Sequence, residues 1–316
     1  MSEMPSIDDL KAAQKRIEPH IHRTPVMTSR LVDERARASV FCKCENLQRV
    51  GAFKIRGATN AVMSLDDATV SRGVATHSSG NHGAALSLAA SMRGATAYIV
   101  MPESASQVKF AAVGSYGGRI IRCSADPADR GRTLDGVIAD TGACLVHPFD
   151  DHRIIAGQGT VALELLEQVP DLDMVLVPVG GGGLISGVAL AAHHSGSAAS
   201  VIGVEPQGVD DALRSFRAGR IIPVPGGRSI ADGLLTTVGE KTFPIISRFV
   251  DDIVTVSEAE IVDAMRFAWT RMKLVIEPSA AVPLAALFAG RVDSAGRRVG
   301  VILSGGNVDL DRLPWS

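Results

Sequence analysis

The stretch "VPVGGGGLISG", Val177 to Gly187, constrains the fold of this chain more than any other. Four consecutive glycines, Gly180 to Gly183, join a buried apolar run, "DMVLVPV", to a helical pattern, "LISGVALAAHH". Each such glycine adds about 0.5–1 kcal/mol of ordering cost, so the run must serve a purpose that side chains would prevent. Without Cβ atoms, successive backbone N–H groups can curl toward one oxyanion, and the helix start adds its dipole. The stretch reads as a phosphate cup. No Lys-Ser/Thr pair follows the glycines, which excludes a nucleotide P-loop. The dinucleotide pattern fails too, because its third glycine falls on Ser186. Glu205, ending the next strand, could still imitate that fold's ribose acid, so a nicotinamide-dependent dehydrogenase stays open at this point.

The strand-then-helix alternation recurs along the chain. "GVATHSS", "ATAYIVMP", "GRIIRCS" and "ACLVHP" read as strands, separated by the helical patterns "NHGAALSLAASMRG", "SQVKFAAVGSYG" and "PADRGRTLDGVIADTG". Beyond them come a helix in "GQGTVALELLEQV", a strand in "ASVIGVEP" and a capping-box helix over "SEAEIVDAMRFAWTRMKL", with Ser257 and Glu260 as its box. "RRVGVILSGGNVDL" is a final strand entering a Gly-rich turn. The hydrophobic fraction is 46% but the aromatic fraction only 4%, so the core is aliphatic and suits parallel sheets under closely packed helices. An α/β architecture follows. Its small domain is expected at residues 67–151 and its large domain at 1–66 with 152–316. Function is expected where strands end at their carboxyl side.

A formal net charge of −2 without a basic concentration argues against a nucleic-acid partner. No run reaches the ~18 apolar residues of a membrane span, and the start lacks a signal-peptide pattern. A soluble, cytoplasmic protein in a reducing compartment is the expectation. Cys42 and Cys44 share a face if "VFCKCEN" is a strand; core packing fits them better than a metal pair, since no second Cys/His pair stands at a suitable spacing.

Further places carry unusual chemistry. In "GAFKIRG", Lys54 sits between Phe53 and Ile55. Its stem could lie over apolar surface with the charge in water, or its amine could be desolvated into a Schiff-base nucleophile. In "THSSGNHG" a strand stops at serines, and the helix start offers N–H groups to a carboxylate; ordinary capping by Ser79 or Asn81 is the alternative. In "LSGGNVD", Ser304 ends a strand, where its hydroxyl either belongs to a turn or meets an aromatic nitrogen. An amine, a carboxylate nest, a phosphate cup and a lone hydroxyl together describe a ligand with an aldehyde, a phosphate and a ring nitrogen. Pyridoxal 5′-phosphate is that ligand.

With these landmarks, and with "HPFDDHRIIAGQGTVALELL", "SIADGL" and "MKLVIEPSAAVPLAAL", the chain resembles the fold-type II pyridoxal-phosphate enzymes, in their serine/threonine dehydratase and serine racemase branch. The resemblance runs over nearly the whole chain. It implies a tryptophan synthase β-like fold of two open, mainly parallel twisted sheets with flanking helices, and a homodimer. It implies that Lys54 forms the Schiff base, that Phe53 lies against the ring, and that Asn81 bonds the ring's 3′-oxygen. Gly180, Gly181, Gly182 and Gly183 with Leu184 match the phosphate loop, and Ser304 matches the partner of the pyridine nitrogen. Ser78, Asn81 and His82 match the substrate-carboxylate site, and Ser79 matches the racemases' second acid/base. Glu205, Asp211 and the Val209 carbonyl resemble a divalent-cation site suited to Mg²⁺, or to Ca²⁺ or Mn²⁺; two solvated acids are the alternative.

The reaction implied is β-elimination of a 3-hydroxy amino acid, serine or threonine by default, to a 2-oxo acid and ammonia. Phe149 resembles the threonine dehydratases, whereas "GVEP", "IADGL" and Ser79 resemble the racemases. Arg130 could reach an acidic side chain and would then favour 3-hydroxyaspartate; a surface arginine is the plainer reading. Little chain follows "LSGGNVDL", so a C-terminal regulatory domain with feedback inhibition is not expected. A non-catalytic amino-acid-binding protein is a further class that the residues alone leave open.

Overall fold

The computed structural model describes residues 4–78 and 80–315, apart from the side chain of Pro127. Its strands are β1 (Val26–Met27), β2 (Ser39–Cys44), β3 (Val74–His77), β4 (Ala97–Pro102), β5 (Arg119–Cys123), β6 (Cys144–Leu145), β7 (Met174–Pro178), β8 (Ser200–Pro206), β9 (Asp252–Val256) and β10 (Arg298–Leu303). They form two sheets, ordered β1-β2-β10-β7-β8-β9 and β5-β4-β3-β6. Every pairing is parallel except β1 with β2. Parallel sheets need cover on both faces. Accordingly β7 is buried at every position and β10 at all but its first.

Helices pack closely because glycines line their contacts. Helix His152–Gln168 lies against helices Lys54–Met63 and Gly183–His194. A Cβ on Gly157 would come within 2.6 Å of the Gly57 Cα, and one on Gly187 within 2.5 Å of the Gly159 nitrogen. Any side chain at either contact would force the helices apart.

Cys42 and Cys44 are both buried in one core with Val301 and Leu303, so they pack rather than bind metal. Two elements differ from their sequence pattern. "ACLVHP" pairs over only two residues, Cys144–Leu145. The helix expected over residues 257–274 is α-helical only over Glu258–Phe267; it widens into a π turn, Ala268–Met272, and stops at Lys273 with φ 59°. There the Trp269 Nε1 donates to the Ile276 carbonyl at 2.9 Å, a tertiary bond that periodicity does not encode. Among the described residues no helix is long and apolar enough to cross a membrane.

A fully buried ion network ties three elements together. The Arg56 guanidinium donates to both oxygens of Glu45, at 2.7 and 2.8 Å, and to both oxygens of Glu164, at 2.7 and 2.9 Å. The Lys43 amine, on β2, donates to Glu164 at 2.7 Å and to the Thr24 carbonyl at 2.9 Å. Burial opposes the Arg56 charge, but the two carboxylates outweigh it and raise its proton affinity. Two cations thus balance two anions, and each charge is hydrogen-bonded, the condition under which buried ions are tolerated. Replacing Arg56 with alanine leaves the buried Glu45 without a cation and Glu164 with Lys43 alone, and is expected to cost about 3–5 kcal/mol. Urea unfolding measures this; a loss below about 1 kcal/mol, the scale of an exposed pair, would show the network to be dispensable.

Candidate active site

β2, β10 and β7 are neighbours and parallel, so their carboxyl ends open onto one side of the sheet. Past β2 the chain turns through Arg49–Gly51, where Val50 and Gly51 both take positive φ, 56° and 69°. Ala52 then bridges to Gly305, and the Phe53 N–H donates to the Ser304 carbonyl at 3.0 Å. This places Lys54, first residue of helix Lys54–Met63, beside the end of β10. The Lys54 Nζ donates to the Pro148 carbonyl at 2.8 Å and lies 5.2 Å from the Phe53 ring centroid. Pro148 follows β6 of the other sheet, so the amine spans a cleft between the two sheets.

Lys54 keeps some surface open to this cleft, yet burial pulls its amine down to about 8, while the charge of Glu277 pulls the other way. No carboxylate lies within ion-pair distance of it among the described residues. Burial of the Lys54 amine without an ion-pair partner is what the desolvated reading of "GAFKIRG" requires. Ser304 is 3% exposed, and its hydroxyl has no partner among the described residues.

The glycine run follows β7 and opens helix Gly183–His194. Gly182 has φ 87°. The N–H groups of Gly181, Gly182, Gly183 and Leu184 find no acceptor among the described residues, the usual condition of a helix start. Packing also demands bare glycines here. A Cβ on Gly181 would sit 2.4 Å from the Phe149 ring, and one on Gly180 would sit 2.9 Å from the Leu234 Cα. Anion binding is thus not the sole reason for the four glycines.

The second sheet supplies the opposite wall. Helix Asn81–Met92 starts after β3 with Gly80 as its cap and no side-chain cap bond. Asn81 does not cap; its Nδ2 donates to the Glu277 carboxylate at 2.9 and 3.2 Å, and its Oδ1 accepts from the Asn307 Nδ2 at 2.9 Å. The Ser78 hydroxyl accepts weakly from the Gly80 N–H at 3.4 Å. His82 is buried, with Nε2 on the Val146 carbonyl at 3.1 Å and Nδ1 unpartnered among the described residues. Burial, aided by the Lys54 charge, takes it down to about 3, so the imidazole is neutral. Ser79 lies outside the described residues.

Sequence reasoning missed several residues here. His147 accepts the Asp150 N–H on Nδ1 at 2.9 Å, which leaves its Nε2 protonated as a donor. It stands edge-on to His77 and Phe149 at 5.9 and 4.6 Å. Burial and the neighbouring His77 take His147 down to about 4. Burial, then the Arg130 charge, lowers His77. Arg130 is half-buried, and its buried Nε has no partner among the described residues, so it is not the free surface arginine of the plainer reading. The signal for Glu277 was present: it is the single charged residue between Lys273 and Arg291.

Glu205 is buried, and its two oxygens accept the Ala212 and Leu213 N–H groups at 3.1 and 2.9 Å. It presents no face to a ribose, which removes the observation behind the dehydrogenase alternative. Asp211 is also buried, with Oδ2 accepting the Val238 N–H at 3.1 Å, and Val209 is buried beside it in sequence. The two acids are therefore not solvated. Burial, with their mutual repulsion, drives Glu205 up to about 9; burial drives Asp211 up to about 6. Among the described residues no group of three or more His, Cys, Asp or Glu side chains is arranged to hold a metal.

Residues 17–305 match the family described as pyridoxal-phosphate dependent enzyme. The chain is 50% identical to a β-hydroxyaspartate dehydratase of Paracoccus denitrificans, covering 99% of each chain. It is 48% identical to a serine racemase of Arabidopsis thaliana, covering 96% of this chain and 93% of that one. Among solved structures, maize serine racemase superposes with a TM-score of 0.96 at 47% identity, covering 98% and 95% of the two chains.

An amine at about 8 has a consequence for pH. Covalent capture of an aldehyde needs the neutral amine, so the capture rate by cofactor-free protein should rise with pH and level off above about 8. Borohydride trapping of pyridoxal 5′-phosphate across a pH series measures it. A midpoint near 10.4, the ordinary lysine value, would contradict the desolvation argument.

Proposed function

The chain belongs to the pyridoxal-phosphate dependent enzyme family, with the two-sheet fold of its fold-type II members, and from that premise we propose an ammonia-lyase that eliminates water from 3-hydroxy amino acids, 3-hydroxyaspartate foremost. The observation that carries this is the desolvated Lys54 amine beside Ser304 and the glycine run, where three parallel strands end.

The residues fit the cofactor. The glycine-run N–H groups are unpaired donors suited to its phosphate, and the Ser304 hydroxyl is an unpaired group suited to its ring nitrogen. Phe53 would lie against the ring and Asn81 would donate to its 3′-oxygen. When bound, pyridoxal phosphate supplies the electrophilic carbonyl and conjugated ring that acidify the substrate's α C–H. The chain's own groups do the rest. The Lys54 Nζ would hold the cofactor's aldehyde carbon and, as a free amine, would accept the substrate's α-proton; the Pro148 carbonyl orients that amine. A serine hydroxyl is too weak an acid to protonate the ring nitrogen, so Ser304 keeps the ring a modest electron sink. The net change would be loss of the α-proton and the β-hydroxyl as water, followed by hydrolysis of the resulting enamine to a 2-oxo acid and ammonia. Ser78 and the start of helix Asn81–Met92, with His82, would hold the substrate carboxylate.

Substrate choice rests on Arg130. Its unpaired Nε, and its charge felt at His77 on the rim of the same cleft, suit the second carboxylate of 3-hydroxyaspartate. The similarity to a β-hydroxyaspartate dehydratase supports the same choice. Racemisation is the second reading, supported by the similarity to serine racemases, with Ser79 as acid/base on the face opposite Lys54. One substrate panel tests these assignments. Lys54→Ala is expected to abolish 2-oxo acid release. Arg130→Ala is expected to raise KM for 3-hydroxyaspartate about tenfold, the scale of one lost charge-assisted bond, while leaving serine elimination within about twofold. Ser79→Ala is expected to remove D-serine formation and spare elimination. Equal losses on both substrates would sink the role of Arg130, and equal losses of both reactions that of Ser79.

Glu205, Asp211 and the Val209 carbonyl would hold Mg²⁺, since neither acid has a cationic partner among the described residues and hard oxygens are its usual ligands. A homodimer in the cytoplasm, built of domains 1–66 with 152–316 and 67–151, completes the proposal. Chelator is expected to lower the melting temperature, with Mg²⁺ restoring it, and sedimentation is expected to give twice the 33.1 kDa chain mass. An unchanged melting temperature, or the chain mass itself, would remove the respective assignment.

A further inference from the structure

Asn81, Glu277 and Asn307 form a closed hydrogen-bond ring across the cleft. Asn81 starts a helix that covers the four-stranded sheet, whereas Glu277 precedes helix Pro278–Phe288 and Asn307 follows β10 of the six-stranded sheet. The Asn81 Nδ2 donates to Glu277 at 2.9 and 3.2 Å. The Asn307 backbone N–H donates to the same carboxylate at 3.2 Å. The Asn307 side chain donates to the Asn81 Oδ1 at 2.9 Å and to the Val50 carbonyl at 2.7 Å. The ring fixes which way the Asn81 amide faces. Reversed, its oxygen would meet the buried Glu277 carboxylate and its nitrogen would meet the Asn307 nitrogen, leaving two repulsive contacts, the first of them out of water's reach. Asn81 therefore keeps one N–H for anything bound between the sheets, while its oxygen is turned toward Asn307.

We propose that Glu277 is a positioning residue that makes Asn81 an obligate hydrogen-bond donor, so that the cleft selects a cofactor presenting an acceptor oxygen at that point. The inference rests on the cofactor reading above and adds a residue that touches the cofactor only through another. The glycine at 305 belongs to the same device: a Cβ there would lie 2.6 Å from the Glu277 Oε1, so only glycine leaves the carboxylate room to sit under Asn81. Charges face Glu277 from every side. Lys54 is felt from its helix, Lys109 from helix Gln107–Ser115 and Asp232 from the turn Asp232–Leu234. Lys109 and Asp232 pair with each other at 2.7 Å, a second tie between the two halves. Burial first of all moves the Glu277 carboxyl up to about 7, against the pull of the Asn81 hydrogen bond.

The test is pyridoxal 5′-phosphate titration of cofactor-free protein, followed by absorbance. Glu277→Gln replaces one acceptor oxygen by an NH₂ group that competes with Asn81, and is expected to weaken cofactor binding about tenfold and shift the absorption band of the bound cofactor. Glu277→Asp, which keeps two acceptors, is expected to recover part of the loss. In an Asn81→Ala background, Glu277→Gln is expected to change affinity by less than about twofold, because the group it positions is gone. Unchanged affinity and band in Glu277→Gln would overturn the inference, and so would losses that simply multiply in the double variant. If Glu277→Gln does not fold, Asn307→Ala decides: it frees the Asn81 oxygen and is expected to weaken binding severalfold, and unchanged binding overturns the proposal. Wild-type protein that takes up no cofactor would instead sink the underlying cofactor reading.

Discussion

The structure depends on a guanidinium held between two carboxylates out of reach of water. Arg56 sits two residues beyond Lys54 on one helix and binds Glu45, which follows β2, and Glu164 of helix His152–Gln168. An unpaired buried charge is so unfavourable that the three elements have few alternatives to meeting in this arrangement. The direction of the Lys54 side chain is thus set by electrostatics one helical half-turn away. Glycine contacts at Gly57 and Gly157 bring the two helices close enough for the network to close.

Around that anchor, the cleft is built from groups that are individually poor at being buried. Lys54, Glu277, His82 and His147 all have their charged forms disfavoured by burial. None of the three basic groups has a carboxylate bonded to it among the described residues; instead Lys54 and His82 use backbone carbonyls. A site of neutral imidazoles, unpaired donors and a lysine whose proton is easily lost suits proton transfer near neutral pH better than a site of fixed ions. The rest of the molecule, an aliphatic core with closely packed helices, provides the rigidity that keeps those groups from relaxing into ion pairs.

Much of this was legible in the sequence, for reasons that differ by residue. Strands such as β7 and β10 are continuous apolar runs bounded by turn residues, so local pattern suffices. Ser304 and the glycine run stood out because each breaks the local pattern at a strand end, and Lys54 because it puts a charge between apolar neighbours at a helix start. Arg130 and Glu205 were not, because their meaning is tertiary: one has an orphaned Nε, the other has both oxygens taken by backbone N–H groups. The Asn81 amide was expected to face the cofactor and the substrate carboxylate, and its bonds to Glu277 and Asn307, more than 190 residues away, were invisible. The π turn at Ala268–Met272 escaped for the same reason, since Trp269 finds its acceptor beyond the end of the helix.

The position of β10 has a consequence for biosynthesis. This strand is the last of the ten in sequence, yet it lies between β2 and β7, and Ser304 stands at its end. On a ribosome, the large sheet must wait with an inner rung missing until Leu303 has emerged. The four-stranded sheet, complete by Leu145, has no such delay. Non-local pairings of this kind are slow to form, and the waiting strands expose unpaired edges that other nascent chains can capture. The cell must therefore shield this protein longest at the moment when its future cofactor pocket is still split into two unjoined halves.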